Sequence, residues 1–267
     1  MKAQRAITPI RGAFAPEYKA ILDYWTLQGY TLPTRSCQIK QNKLVQQLKL
    51  ANAWNTADFI RVWQYDGVDD NLIYTNWANV NTFNGTLNGT LSRVNNLGLK
   101  TLGGYFKNEY IPSIDGINYN KNDFMKVIVP FRQTGTIDLN NGMRNTAATY
   151  FIFVRQLTGI VEDFAANDVT FSPITFDLDD IVFYGRQNSN TTFSKINQNS
   201  VNTNTVVGLG DMDNYSVEFM RNEATPVAGY SVGASDSSGS GYKFIWWGKY
   251  STVNLDLFYK AINNYLL

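Results

Sequence analysis

The sequence predicts a mainly β, antiparallel sandwich framed by helices, and three observations predict it. Short runs rich in Val, Ile, Thr, Tyr and Phe recur after position 55, and such residues suit a pleated, half-buried surface. Asn and Gly punctuate those runs; the chain holds 30 Asn and 20 Gly, both turn formers. Helical periodicity is confined to two stretches, before position 55 and after 253. Many short strands between turn signals argue for two packed sheets.

Residues 1–15 read as an extended arm, since Pro9, Gly12 and Pro16 keep the stretch out of helix. Lys2, Arg5 and Arg11 precede the first acid, Glu17. They form either an ordinary polar terminus or a basic arm that docks on a partner. Residues 16–54 read as a helical hairpin. Tyr18, Ile21, Leu22 and Trp25 share one helical face, and Gly29 stops that helix. Ser36 is the expected cap of a second helix running to about Asn52, with Cys37, Leu44, Val45, Leu48 and Ala51 inward.

From 55 to 267 the period falls towards two. Phe59 to Tyr65, Phe124 to Phe131 and Thr149 to Val154 are expected strands. Ile174 to Leu178 and Tyr215 to Phe219 alternate as half-buried strands do. Val227 to Val232 and Tyr242 to Trp247 flank a Gly/Ser loop. A closing helix over 254–267 puts Leu255, Phe258, Ala261, Ile262, Tyr265 and Leu266 on one face, capped by Thr252 or Asn254.

Composition narrows the chemistry. The chain has no histidine. That removes Ser-His-Asp and Cys-His nucleophile activation and His-ligated metal sites. The only cysteine is Cys37, so no intramolecular disulfide supports the fold. Net charge is +1, with no excess pointing to nucleic acid or an anionic membrane. No leader-like or membrane-spanning apolar run is present. The expectation is a protein that is not an enzyme and carries no cofactor.

Three segments resemble a known family. Leu48-Lys-Leu-Ala-Asn-Ala-Trp54 leads into Ala57-Asp-Phe-Ile-Arg-Val-Trp63 and the pair Asn76-Trp77. Gly98 to Ser113 passes from a Gly-rich turn to a Pro-Ser end. Ser231 to Tyr242, Phe244 to Gly248, and a helix with Leu257-Phe258-Tyr259 and Tyr265-Leu266 form the most specific part. Together they resemble the concanavalin A-like (laminin-G-like) jelly-roll domains of bacteriophage virion proteins. The resemblance implies a jelly-roll of two curved antiparallel sheets, and a virion component, most simply a head fibre or other capsid-attached appendage. Its implied partners are copies of itself, as dimer or trimer, other virion proteins and a host surface glycan. A tail-associated receptor-binding protein and a polysaccharide-degrading enzyme of the same fold stay open as alternatives.

Individual sites are weighed against that frame. Glycosidases of concanavalin-like folds need two carboxylates close together, and the Glu-x-Asp-x-x-Glu spacing that supplies them is absent. The cluster Asp177, Asp179 and Asp180 reads as a solvated strand edge. Asp66, Asp69, Asp70 and Asn71, and again Asp211 and Asp213, could offer oxygens to calcium, but they also read as turn formers, and no metal is expected. Trp246 and Trp247 are neighbours in a strand and point to opposite faces. One is expected in the core. The other is either exposed or under the final helix; core packing is the favoured reading for both, and a glycan-stacking surface on an outward ring is the alternative.

Overall fold

The computed structural model describes residues 13–101, 105–108, 110, 112–120, 122–131, 141–142, 153–155, 160–162, 179–205, 218–219 and 241–266. Lys2, Arg5 and Arg11, the strand expected at Ile174 to Leu178, the Gly/Ser loop and Asp211 with Asp213 lie outside the described residues.

Helix α1 (Pro16–Leu27) opens on a proline that needs no amide partner there. It buries Tyr18, Ile21, Leu22 and Trp25, and Gly29 follows it at φ 74°. Helix α2 (Arg35–Leu50) is capped by Thr34, whose Oγ1 accepts from the Cys37 amide at 3.3 Å. The expected cap, Ser36, lies inside the first turn instead. Thr34 wins because Asp66 holds both its amide (2.8 Å) and its hydroxyl. Asn52 ends α2 in the left-handed region, φ 57°, the place usually taken by glycine.

Among the described residues the strands are β1 (Ala57–Val62), β2 (Thr86–Asn88), β3 (Leu91–Val94), β4 (Gly98–Thr101), β5 (Tyr105–Lys107), β6 (Phe124–Phe131), β7 (Asn141–Gly142), β8 (Phe153–Arg155), β9 (Ile160–Glu162), β10 (Val182–Asn188), β11 (Thr191–Ile196), β12 (Asn202–Thr205), β13 (Glu218–Phe219) and β14 (Gly241–Gly248). One turn of helix, α3 (Pro112–Asp115), precedes β6, and α4 (Leu255–Leu266) follows β14. The large sheet has eight strands in the order β12-β11-β10-β6-β14-β4-β3, with β1 also paired to β14. A second sheet runs β2-β5-β13-β7, and β8 pairs with β9. Every strand pairing among the described residues is antiparallel. The chain is mainly antiparallel β, as the sequence predicts. The strand expected at Phe59 to Tyr65 starts at Ala57 and leaves the ladder after Val62.

Register assigns the two faces of the large sheet. Ile60 pairs with Trp246, and Trp246 with Val127; this face meets the helices. Phe258 of α4 lies against Trp246 (5.3 Å between centroids), Phe183 (5.5 Å) and Phe244 (6.4 Å). Phe59, Trp247 and Lys126 form the opposite row. That face meets the second sheet, where Phe106 of β5 packs edge-on against Trp63 at 5.2 Å. Helices and sheets share one core.

The inter-sheet face is not purely apolar. Arg61, Lys126, Arg186, Thr192 and Ser194 are all buried there. Arg61 donates from Nε to Asn108 Oδ1 (2.8 Å), from Nη1 to the Tyr74 carbonyl (2.7 Å) and from Nη2 to the Phe83 carbonyl. Its acceptors are neutral, and burial lowers its pKa to about 9. Lys126 Nζ sits 5.1 Å from the Trp247 ring centre, a cation–π contact.

A buried carboxylate fixes the segment before β6. Asp58 is 6% exposed. Its oxygens accept from Tyr110 Oη (2.7 Å) and from the amides of Ile117 (3.1 Å), Asn118 (2.8 Å) and Tyr119 (2.9 Å). Four donors converge on one charge, which settles the turn that follows α3.

Candidate functional site

A polar pocket of about 130 Å³ opens where four segments meet. The first turns of α2 supply Ser36, Cys37 and Lys40; the segment leaving β1 supplies Gln64, Tyr65 and Asp66; the β3–β4 turn supplies Asn96; the last turn of α4 supplies Tyr265. Local bonds explain why these side chains meet. The Asn96 amide donates to the Tyr65 carbonyl at 3.0 Å, and Asn96 takes a left-handed turn conformation, φ 59°. Tyr265 Oη donates to the Gln64 carbonyl, and Gln64 Nε2 donates to the Leu266 carbonyl at 3.2 Å. The α4 terminus is thereby tied to the strand exit.

Some polar groups of the pocket are committed and others are not. Asp66 caps Thr34 through both oxygens. Tyr65 donates to the Asp69 carbonyl at 3.0 Å and carries the Arg93 guanidinium over its ring at 4.5 Å. By contrast, Gln64 Oε1 is buried with no hydrogen-bond partner. The side chains of Ser36, Lys40 and Asn96 make no hydrogen bond or ion pair among the described residues. Behind the pocket, Gln41 is fully buried; its Oε1 accepts from Tyr18 Oη at 2.6 Å and its Nε2 has no partner. Burial pushes the Cys37 thiol up to about 11 and the Tyr265 phenol well above its ordinary value. Both stay protonated near neutral pH, so neither is poised as a nucleophile or base.

The pocket can therefore offer hydrogen bonds from the side chains of Ser36, Lys40 and Asn96, with the unpartnered Gln64 Oε1 buried in its wall. Its lining contains one carboxylate, and that group is already engaged. A second hollow, about 230 Å³ and lined by Gln198, Asp256 and Lys260, is less ready, since Asp256 already pairs with Lys195 at 3.2 Å.

The residues singled out from the sequence fare differently. Trp246 and Trp247 are both fully buried, so neither presents a ring to a sugar, and the glycan-stacking assignment is corrected. Trp246 donates from Nε1 to the Ala53 carbonyl at 2.7 Å and lies under α4. Trp247 lies flat on Phe124 (6.0 Å, 11° between planes) and packs on Phe59 and Tyr110. The strand does point them to opposite faces, but both faces are covered. Asp66, Asp69 and Asp70 are loop pins. Asp69 accepts from the Thr31 amide (2.6 Å) and the Asn71 amide (3.0 Å), and Asp70 pairs with Arg93 at 2.8 Å. Among the described residues no group of three or more His, Cys, Asp or Glu is placed to hold a metal. Asp179 lies in a turn at φ 69° and pairs with Lys243 at 2.9 Å. Among those residues no helix is long and apolar enough to cross a membrane.

Sequence reasoning missed the pocket. Its lining comes from four segments spread between residues 36 and 265, so no local motif announces it. The pair Asn95-Asn96 before Gly98 was the one local signal, a hairpin turn that must expose an amide.

No family model matches the chain, and no curated protein matches it. Among solved structures it is similar to the botulinum neurotoxin serotype D binding domain, with a TM-score of 0.46 and 8% identity over 79% of this chain and 53% of that one. It is similar to the Emp47p carbohydrate recognition domain, with a TM-score of 0.37 and 6% identity over 73% of this chain and 98% of that one. The Emp46p carbohydrate recognition domain gives a TM-score of 0.34 and 10% identity over 64% and 89%. The chain spans about half the length of the neurotoxin domain, 53% of it.

Proposed function

We propose that the protein is a non-enzymatic attachment and assembly component of a bacteriophage particle, of the head-fibre or other capsid-attached type. In this reading it assembles with copies of itself and with other virion proteins, and its pocket receives the hydroxyls of a host surface glycan. The observation that carries the binding part is the set of unspent groups in the pocket: one buried acceptor on Gln64 beside the side chains of Ser36, Lys40 and Asn96. Neighbouring hydroxyls of a sugar ring both donate and accept, which suits such a mixed set. The cavity of about 130 Å³ is a small, partly open polar hollow, suited to one end of a sugar chain. Glycosidic hydrolysis uses two carboxylates, and the pocket lining offers only Asp66. The particle assignment is supported by the segments around Trp54, Ser113 and Tyr242 that resemble virion jelly-rolls.

Two measurements test the reading. Mass spectrometry and antibody labelling of purified particles should find the chain on the particle surface; its absence from particles ends the virion assignment. Titration with oligosaccharides cleaved from the host surface, followed by backbone NMR, should move the Asn96 and Ser36 amides in the wild type. Asn96→Gly, which keeps the left-handed turn at φ 59°, should weaken that response several-fold with little change in melting. Shifts confined to other surfaces would remove the pocket from the account.

A further inference from the structure

Three tyrosines gather near the end of α1: Tyr24 on that helix, Tyr30 in the turn to α2, and Tyr74 at the end of the short helical turn Asp70–Tyr74. Each is half-buried, with part of its ring on the core and the rest open to solvent. Hydrogen bonds place them. The Tyr30 amide donates to the Trp25 carbonyl (2.9 Å), and Trp25 Nε1 donates to Thr75 Oγ1 (2.7 Å), next to Tyr74. Tyr24 Oη accepts from Asn84 Nδ2 (3.0 Å), and the following amide, Gly85, donates to the Tyr74 carbonyl (3.3 Å). That carbonyl also takes Arg61 Nη1 at 2.7 Å. The Tyr74 ring rests on Phe106, 24° from parallel with 6.3 Å between centroids. The phenols sense one another. Burial first, and then Tyr30, raise the Tyr24 phenol above its ordinary value; burial, Asp70 and Tyr30 do the same to Tyr74.

The tips of these rings are uncommitted. Among the described residues the Tyr30 and Tyr74 hydroxyls make no hydrogen bond, and Tyr24 Oη accepts one without donating. Leu27, 82% exposed and three residues beyond Tyr24 on the same helix, extends the apolar area. A tyrosine offers a rigid apolar face and a polar tip at small cost in conformational entropy. Three of them on a fixed frame match a ligand with C–H faces and a rim of hydroxyls, which is the make-up of a sugar ring. Charge narrows the choice further. Asp70 is engaged by Arg93 at 2.8 Å, and Asp69 by the Thr31 and Asn71 amides at 2.6 and 3.0 Å. Neither carboxylate is left to balance a bound cation, and Arg93 is not left to balance an anion.

We propose that Tyr24, Tyr30 and Tyr74 form a second glycan contact, a stacking surface for neutral sugar rings, separate from the pocket at Asn96. The proposal rests on the glycan part of the reading above and deepens it. It supplies the exposed aromatic rings that the buried Trp246 and Trp247 do not. One segment joins the two places: Asp66 lines the pocket, and Asp69, three residues on, holds the Thr31 amide beside Tyr30. Because backbone bonds and the Phe106 contact already fix the rings, little ordering is needed on binding.

The test is NMR of the full chain with isotope-labelled tyrosine rings, titrated with maltohexaose, chitotetraose and galactotetraose, and with tetramethylammonium chloride as a cation. At least one sugar should move the ring signals of Tyr24, Tyr30 and Tyr74 to saturation. Tyr30→Ala should raise the dissociation constant about tenfold or more, and Tyr30→Phe, which keeps the ring, should raise it less. Leu27→Asp, at a side chain open to solvent, should also weaken binding and serves in place of Tyr30→Ala if that variant melts early. Asn96→Gly should leave the tyrosine response as it is. No tyrosine response to any of the sugars overturns the proposal. So does a stronger response to tetramethylammonium, which would mark a cation site, and so do ring shifts that grow with protein concentration alone, which would mark a contact between copies. Sugar-induced shifts at Ser36 and Asn96 with silent tyrosines overturn this surface and leave the pocket reading standing; the reverse pattern removes the pocket and keeps the surface.

Discussion

At the residue scale, Asp58 does the most for local order. Asp58→Ala strands three amides and the Tyr110 hydroxyl in a nearly dry site. The expected loss is roughly 3 kcal/mol of unfolding free energy, read from urea midpoints. Hydrogen exchange should speed at Ile117, Asn118 and Tyr119 before the rest of the protein opens. Unchanged protection at those amides would show that the turn does not depend on the carboxylate. This role was barely legible from the residues alone, because Asp58 sits inside a strand between Ala57 and Phe59, where an acid looks outward-facing. Trp246 and Trp247 show the converse. Their opposite orientations were legible from adjacency alone. What covers each face was not, since Phe258 and Phe124 lie 12 and 123 positions or so away in the chain, roughly counted from the strand pair.

At the element scale, α4 is the lid on the helix-facing side of the large sheet. Phe258→Ala removes a fully buried ring from contact with Phe183, Phe244 and Trp246. It should cost about 3–5 kcal/mol and raise tryptophan exposure to quenchers. Lys260→Ala, on the outer face of the same helix, should stay within about 0.5 kcal/mol. Equal effects of the two would mean that α4 is not docked as described. Helices α1, α2 and α4 were readable because each keeps an apolar stripe at a period of 3.6. Strands β6 and β14 were readable as continuous apolar runs. The hairpin β10–β11 was not singled out. Its inward row is Tyr184 and Arg186 opposite Ser194 and Thr192, so a buried face carries polar residues and the usual inside–outside alternation is disguised.

At the scale of the whole molecule, buried phenols set the alkaline limit. Burial raises Tyr18, Tyr65, Tyr110 and Tyr265 above the ordinary value of 10.0, and the Cys37 thiol moves the same way, to about 11. The folded state then holds more protons than the unfolded one above pH 10. Their stabilisation is complete below about pH 10 and is lost as pH rises beyond it. Arg61 acts in the opposite sense, since burial lowers its pKa, but it is one group against five. The melting temperature should fall steadily above pH 10, with tyrosinate absorbance appearing together with unfolding. Ionisation of all the tyrosines in a still-folded protein would contradict the burial described.

The place of β14 in the large sheet has a consequence for biosynthesis. This strand lies between β6 and β4 and also pairs with β1, so Ala57 finds its neighbour only at Gly248. A ribosome must therefore release residues 63–240 before the middle of the sheet exists. Until then β1 and β6 offer unpaired edges and bare aromatic faces, the state most prone to clump with other nascent chains. Yield in a recombinant host should thus hinge on how quickly residues 241–248 follow, and fragments that stop short of them should collect in inclusion bodies.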